Sequence, residues 1–420
     1  MASAPRPTPS DRTARRDELW LLELSSTPTA AGNEERVMAW IDNWLESRRT
    51  RLDIRRDDAG NYLIQRKDRS RTARPILLTA HLDHPAFIVL KAPSRKGPPR
   101  SRGVATLEFR GGVHDAYFAK ARIEVVDYSG SRHAATITSL DATAKPFKRV
   151  TVRFDAPART GAIANGDLAR WLLGAPTISL RDMPPVAAGD APRSVRVIDT
   201  HACDDLAALA AACAAFDRLL KLKSAANVGM LLTVAEEVGF IGAIHAARSG
   251  LIPKNARLLC LENSRSFPHD SPIGAGAILR VGDRLSVFSP ALTNELSTLF
   301  TAHAKRHPQF KWQRKLMAGG ACEATAFAAY GLESTCLCLP LGNYHNMSEI
   351  DDVARGKRPA IIAHEFVALS DYHGLIEMLQ VAVTGLAKTA ATTRTKRTAS
   401  TPHRSLMESL YAKHSCVLGG

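Results

Sequence analysis

Residues 228–250, VGMLLTVAEEVGFIGAIHAARSG, decide the fold. An uncharged apolar run reads as a strand, two adjacent carboxylates, Glu236 and Glu237, stop it, and GFIGAIHAARSG beyond them reads as a helix. Apolar strands that stop at polar residues lie on either side of it. Upstream, PILLTAHLD (75–83) is a nearly continuous apolar strand of the kind buried on both faces of a parallel sheet, and it ends at a polar cluster. Downstream come the strand ARLLCLEN (256–263), the strand LRVGD (279–283), the helix PALTNELSTLFTAHAKRH (290–307), the helix EATAFAAYG (323–331), the strand STCLCLP (334–340) and a long helix from about Pro359 to Val383. The stretch DDLAALAAACAAFDRLLKL (204–222) is a helix preceding the deciding strand. Strands alternating with helices imply an α/β fold, a mostly parallel open sheet flanked by helices.

The front of the chain adds a helix from near Arg16 and a second in ERVMAWIDNWLESR (35–48), with Val37, Ile41 and Leu45 at helical spacing and Asn33 as its N-cap. Two strands follow in TRLDIRRDDAGNYLIQRK (50–67), broken by a Gly-Asn turn. From 89 to 194 the texture changes to short alternating runs such as ATLEFR, ARIEVVDYSG and KRVTVRFD, punctuated by Gly and Pro, which predicts an inserted all-β domain. A chain of 420 residues suits this division, because single cores seldom grow past roughly 250 to 300 residues. The expected organisation is a basic tail over 1–16, an α/β domain over 17–88 and 195–384, the β insertion over 89–194, and a second basic tail over 385–420, both tails lacking an apolar period.

The net charge of +15 is unevenly placed. The insertion carries seventeen basic residues against nine acidic, and the two tails add further excess, while the α/β part is nearly neutral. No helix-turn-helix, zinc finger or RNA-binding motif accompanies that charge, so the sequence argues against nucleic acid as a partner. Seven cysteines, none in a CxxC pair, argue against a disulfide framework or a thiolate zinc site. There is no apolar stretch of membrane-spanning length and no signal-peptide core, from which a cytoplasmic location is expected.

Chemistry gathers at strand ends. His81 and Asp83 follow PILLTA, Asp204 and Asp205 open a helix, Glu236 and Glu237 follow MLLTVA, Glu262 follows RLLCL, and His345 follows LCLPLGNY. The C-terminal ends of the strands of an open parallel sheet converge on one edge, where ligands bind. Two histidines and several carboxylates meeting there would suit two divalent metals such as zinc, cobalt or manganese. Each residue taken singly has a structural reading too: His81 and Asp83 as a core pair, Asp204 and Asp205 as helix-start carboxylates. Glu236 and Glu237 are harder to read that way, because adjacent carboxylates repel unless a cation lies between them. Cys203 reads as a packed thiol, and His84, His114 and His201 as pocket or surface residues.

The order HLD…CDDLAAL…VAEEVGFIGA…LEN…NYHNMSE resembles the co-catalytic dinuclear metallo-aminopeptidases, in particular the glutamyl-aminopeptidase family of tetrahedral, self-compartmentalising enzymes. LLELSSTPTAAGNEE, DDAGNYLIQ and AGGACEATAFAAYG extend the resemblance over roughly residues 17 to 384. It implies that His81, Asp204 and Glu262 hold one metal ion and Asp204, Glu237 and His345 a second, with zinc first among the metals. It implies Glu236 as the general base, Asp83 as the residue orienting His81, peptides as substrate, and a PDZ-like insertion that carries homo-oligomer contacts. The chain departs from the family pattern at Asp204-Asp205-Leu206-Ala207, at Asp83-His84-Pro85, at Glu262 and at Gly319-Gly320-Ala321-Cys322, changes that keep the ligand types but not the residues that shape the pocket. Two other readings stay open: a bimetallic amidase or deacylase acting on N-acyl amino acids, and a nucleic-acid-binding protein with a vestigial metal site.

Overall fold

The structure, a computed structural model, describes residues 9–70, 72–94, 103–156, 162–186, 191–388 and 404–418. It opens with α1 (Pro9–Ser26) and α2 (Glu35–Glu46). α1 starts earlier than the Arg16 read from sequence, with Pro9 and Asp11 in its first turn, where a proline lacks nothing and an acid meets the positive helix end. α2 buries Val37, Ile41, Trp44 and Leu45 along one stripe. Its N-cap is Glu34 rather than Asn33, and the Glu34 carboxylate accepts N–H groups from Gly32 and Ala235 instead of capping the helix.

A hairpin of β1 (Leu52–Arg56) and β2 (Tyr62–Arg66) leads into β3 (Ile76–His81). The all-β segment follows as β4 (Ala86–Lys91), β5 (Val104–Arg110), β6 (Arg122–Val126), β7 (Arg132–Asp141), β8 (Lys148–Phe154) and β9 (Leu168–Trp171). These six close into an antiparallel barrel in the order β4-β5-β8-β7-β6-β9. Its interior is aromatic: Phe87 lies edge-on to Phe109 at 4.8 Å and to Trp171 at 4.9 Å, and Phe109 edge-on to Phe118 at 5.0 Å, the geometry ring quadrupoles favour. The barrel ends well before residue 194. β10 (Thr177–Met183) and β11 (Arg193–Thr200) form a ribbon that leaves it, because Val197 and Ile198 are buried against the α/β part.

The α/β order then resumes: α3 (Leu206–Leu219), β12 (Val228–Thr233), α4 (Ile241–Ser249), β13 (Arg257–Arg265), β14 (Ala277–Gly282), α5 (Pro290–Arg306), β15 (Trp312–Leu316), α6 (Glu323–Ala329) and β16 (Glu333–Leu341). A short α7 (Ile350–Ala354), β17 (Glu365–Ala368), α8 (Leu369–Leu386) and α9 (Arg404–His414) complete it. The helix expected from Pro359 thus starts at Leu369, after β17, which pairs with β11.

The main sheet has eight strands in the order β1-β2-β12-β3-β13-β16-β14-β15. Its centre, β12-β3-β13-β16, is wholly parallel, whereas β1, β2 and β14 introduce antiparallel pairings, so the sheet is mixed. α1, α3, α5 and α8 cover one face, α4 and α6 the other. The four parallel strands point the same way, and their C-terminal ends deliver the polar clusters read from the sequence to one place.

Part of the expected C-terminal tail is folded, while residues 1–8, 389–403 and 419–420 of the expected tails lie outside the described residues. α9 sets Met407, fully buried, among the side chains under α4 and α6, and the Tyr411 hydroxyl lies 2.6 Å from Nδ1 of His245. Met407, Leu410, Tyr411 and His414 share one face at helical spacing, a stripe hidden in the sequence by the polar residues before it. No helix among the described residues is long and apolar enough to cross a membrane.

Candidate metal centre

His81 is the last residue of β3. Its Nδ1 lies 3.1 Å from the Asp83 carbonyl; a carbonyl only accepts, so Nδ1 carries a proton and Nε2 is left facing Asp204, 3.6 Å from its Oδ1. The other oxygen of Asp204, Oδ2, is 3.6 Å from Nε2 of His345, which is also 3.2 Å from Oε1 of Glu237. Asp204 therefore lies between two imidazoles that come from distant parts of the chain. Ligand atoms of His81, Asp204 and Glu262 lie within 4.8 Å of one another, and so do those of Asp204, Glu237 and His345. His81, Glu236 and Glu237 also satisfy that limit.

All these side chains are out of water: His81, Asp204, Glu236, Glu262 and His345 are buried, and the Glu237 side chain is only 6% exposed. Four carboxylates crowd two imidazoles without solvent to screen them, and the buried oxygens Asp204 Oδ1 and Glu262 Oε1 have no hydrogen-bond partner. Burial, reinforced by Glu237 and Asp83, raises the Glu236 carboxyl well above its usual range despite His81 nearby. Burial, with Glu236 and Asp204, does the same to Glu262. Burial opposes charge on Asp204 also, but the His345 and His81 imidazoles hold its pKa below the ordinary value. Excess buried negative charge with orphaned oxygens is what a divalent cation relieves, and the donor set of imidazole and carboxylate fits zinc, cobalt or manganese.

Asp83 does more than face His81. Its carboxylate stands 3.5 Å from His81 Nδ1, but its hydrogen bonds go to the next strand end: Oδ1 accepts the Glu236 N–H at 2.9 Å and Oδ2 the Glu237 N–H at 3.0 Å. One buried side chain at the end of β3 thus holds the turn after β12. His345 is fixed by its Nδ1–H, which donates to the Gly112 carbonyl at 2.7 Å. Gly112 follows β5, so the barrel reaches into the site. The Tyr344 ring stacks on the His345 ring at 3.7 Å.

Two acids beside the cluster, Glu365 and Glu323, carry no sequence signal, and the other residues singled out in the sequence fall around it or away from it. Glu365, fully buried, accepts backbone N–H groups of Cys203, Asp204 and His345. Glu323 opens α6 behind His81, and burial pushes its carboxyl to about 7. Asp205 is buried with both carboxylate oxygens unpartnered, and burial raises its pKa. His84 bonds the Asp204 carbonyl at 2.5 Å through Nδ1. His201 is buried in a small cavity with His84, Arg170 and Trp171, where burial and then Arg170 depress its pKa to about 2. His114 is exposed on the barrel. Burial raises the Cys203 thiol, in keeping with a packed side chain.

Residues 192–358 match the model of the M42 glutamyl aminopeptidase family, a segment that contains Asp204, Glu236, Glu237, Glu262 and His345. The chain resembles that family and is an aminopeptidase, a hydrolase. Solved aminopeptidases share its fold. The TET1 peptidase of Pyrococcus horikoshii, which can assemble into a tetrahedron or a large octahedral shell, is 18% identical, with 87% of this chain and 98% of that one covered at a TM-score of 0.63. The TET aminopeptidase of Thaumarchaeota archaeon SCGC AB-539-E09 is 19% identical, with coverage of 88% and 96% and a TM-score of 0.66. Aminopeptidase APDkam598 of the archaeon Desulfurococcus kamchatkensis is 18% identical, with coverage of 90% and 99% and a TM-score of 0.64. At such identities the likeness to this aminopeptidase is one of fold. A search of curated proteins finds no match.

Proposed function

We propose that this aminopeptidase is a two-metal exopeptidase that releases N-terminal residues from peptides. His81, Asp204 and Glu262 would hold one ion, Asp204, Glu237 and His345 the other. The observation that carries this reading is Asp204, whose two oxygens each lie 3.6 Å from a different imidazole. When bound, two divalent ions, zinc foremost, supply Lewis acidity to water and to the scissile carbonyl. Glu236 would then be the group that takes a proton from the attacking water and returns it to the leaving amine, since it is buried beside the cluster yet belongs to neither group that contains Asp204. Asp83 keeps Glu236 and Glu237 in place by accepting both their backbone N–H groups. No covalent intermediate is needed.

Hydrolysis of aminoacyl-p-nitroanilides tests the proposal. Activity should vanish with EDTA or phenanthroline and return with zinc, cobalt or manganese. Turnover that survives exhaustive chelation would refute the metal reading, and a preference for N-acetyl amino acids over free-amine anilides would replace the exopeptidase by a deacylase.

We further propose that the chain works as a closed homo-oligomer with contacts through the barrel domain, the counterpart of the expected PDZ-like insertion. The large assembly described for the Pyrococcus protein and the net positive charge of residues 89–194 support it, the latter requiring acidic partners. Light scattering should give a mass many times the 45.5 kDa of one chain, and a monomer mass at both low and moderate salt would end the idea.

A further inference from the structure

Asp204 and His345 stand on irregular backbone. Asp204 lies in the turn between β11 and α3, and His345 in a turn after β16, where Asn343, His345 and Asn346 all have positive φ. The sheet ladders fix neither their separation nor their relative orientation, although the proposed shared site requires both.

We propose that Glu365 is the positioning residue that sets the spacing of the two turns. This inference rests on the two-metal reading and adds to it a residue that touches none of the candidate ligand atoms. Glu365 opens β17 and pairs with Thr200 of β11, just upstream of Asp204. Its Oε2 accepts the N–H groups of Cys203 at 2.7 Å and Asp204 at 3.0 Å, while Oε1 accepts that of His345 at 2.7 Å. One rigid carboxylate therefore spans both turns and fixes each through its backbone. Nothing about β17 as a strand calls for an acid here, since its pairing with β11 is made by main-chain groups.

The residue after His345 reinforces the same junction. Asn346 donates through Nδ2 to the carbonyls of His201 at 2.8 Å and Ala363 at 3.2 Å, and its Oδ1 lies 3.2 Å from Nε2 of His84, whose other nitrogen bonds the Asp204 carbonyl. The β11 turn, the His345 turn and the approach to β17 are thus joined twice. The carboxylate is the element that reaches the ligand residues' own amides.

Glu365→Gln discriminates, because an amide accepts through one oxygen and turns N–H against N–H at the other. Apo-protein would be titrated with cobalt(II), following the heat and the visible d–d spectrum, and hydrogen exchange would be read at the amides of Cys203, Asp204 and His345. The variant should bind cobalt about 10- to 100-fold more weakly, the usual cost of losing a support behind metal ligands, with an altered spectrum and faster exchange at those three amides. Glu365→Asp, one methylene shorter, should meet one turn only and fall between. Wild-type affinity and spectrum in Glu365→Gln overturn the proposal, even if exchange accelerates, because the clamp would then be structural only. Should Glu365→Gln fail to fold, the same outcome in Glu365→Asp overturns it. A wild-type protein that binds no cobalt would refute the two-metal reading itself. Unchanged exchange at the three amides in the variant would in that case dispose of the clamp separately.

Discussion

Glu236→Gln should keep its metal and lose about 10²- to 10⁴-fold in turnover, the range that follows removal of a general base. The expectation comes from the asymmetry of the pair. Glu237 places Oε1 3.2 Å from His345 Nε2, within the group that also includes Asp204, so its oxygen is committed to that cluster. Glu236 belongs to neither group that contains Asp204, yet it is buried beside His81 with Glu237 and Asp83 pressing its proton affinity upward. Glutamine is nearly isosteric and leaves the Asp83 hydrogen bonds to the backbone untouched, so the loss should lie in kcat. Glu237→Gln should instead weaken metal binding and regain activity at high metal concentration. The pair is distinguished by elemental analysis after gel filtration together with steady-state rates on Leu-p-nitroanilide. Equal metal loss in both variants would show that ligand and base had been assigned wrongly.

The parts of this site legible in the sequence share one physical origin. β3, β12, β13 and β16 are long apolar runs because the sheet centre is covered on both faces, and a run that stops at His, Asp or Glu marks a C-terminal strand end. Parallel neighbours bring those ends together, so His81, Glu236, Glu237, Glu262 and His345 could be grouped without coordinates. Closure of the barrel was not legible, since alternating inward and outward residues look alike in an open sheet and a closed one. Nor was Glu365, which acts on backbone amides from a short strand that reads as the start of a helix. The sequence pairs the Asp83 carboxylate with His81, which it approaches at 3.5 Å, but gives no sign that it also accepts the N–H groups of Glu236 and Glu237. In each case the missing information is long-range backbone hydrogen bonding, for which side-chain type leaves no pattern.

Asp204→Ala should remove both metal ions together, and the contrast with single-site variants is the measurement that tests sharing. His81→Ala withdraws a ligand from the group with Glu262, and His345→Ala one from the group with Glu237, so each should retain a substantial part of the metal found in wild type. Asp204 belongs to both groups, and its loss should take metal content to background and turnover at least as low as in Glu236→Gln. Thermal stability supplies a second readout that does not depend on catalysis. A ligand that binds only the folded state stabilises it by about 2.7 kcal/mol at a hundred times its Kd, so zinc should raise the melting temperature of the wild type and leave that of Asp204→Ala unmoved. The apo variant need not be less stable than the apo wild type, because the substitution removes a buried carboxylate with an orphaned oxygen as well as its contacts with His81 and His345. What should disappear is the response to metal. If Asp204→Ala keeps one ion per chain and a zinc-dependent rise in melting temperature, then Asp204 is not shared, and the two groups are independent sites rather than one centre.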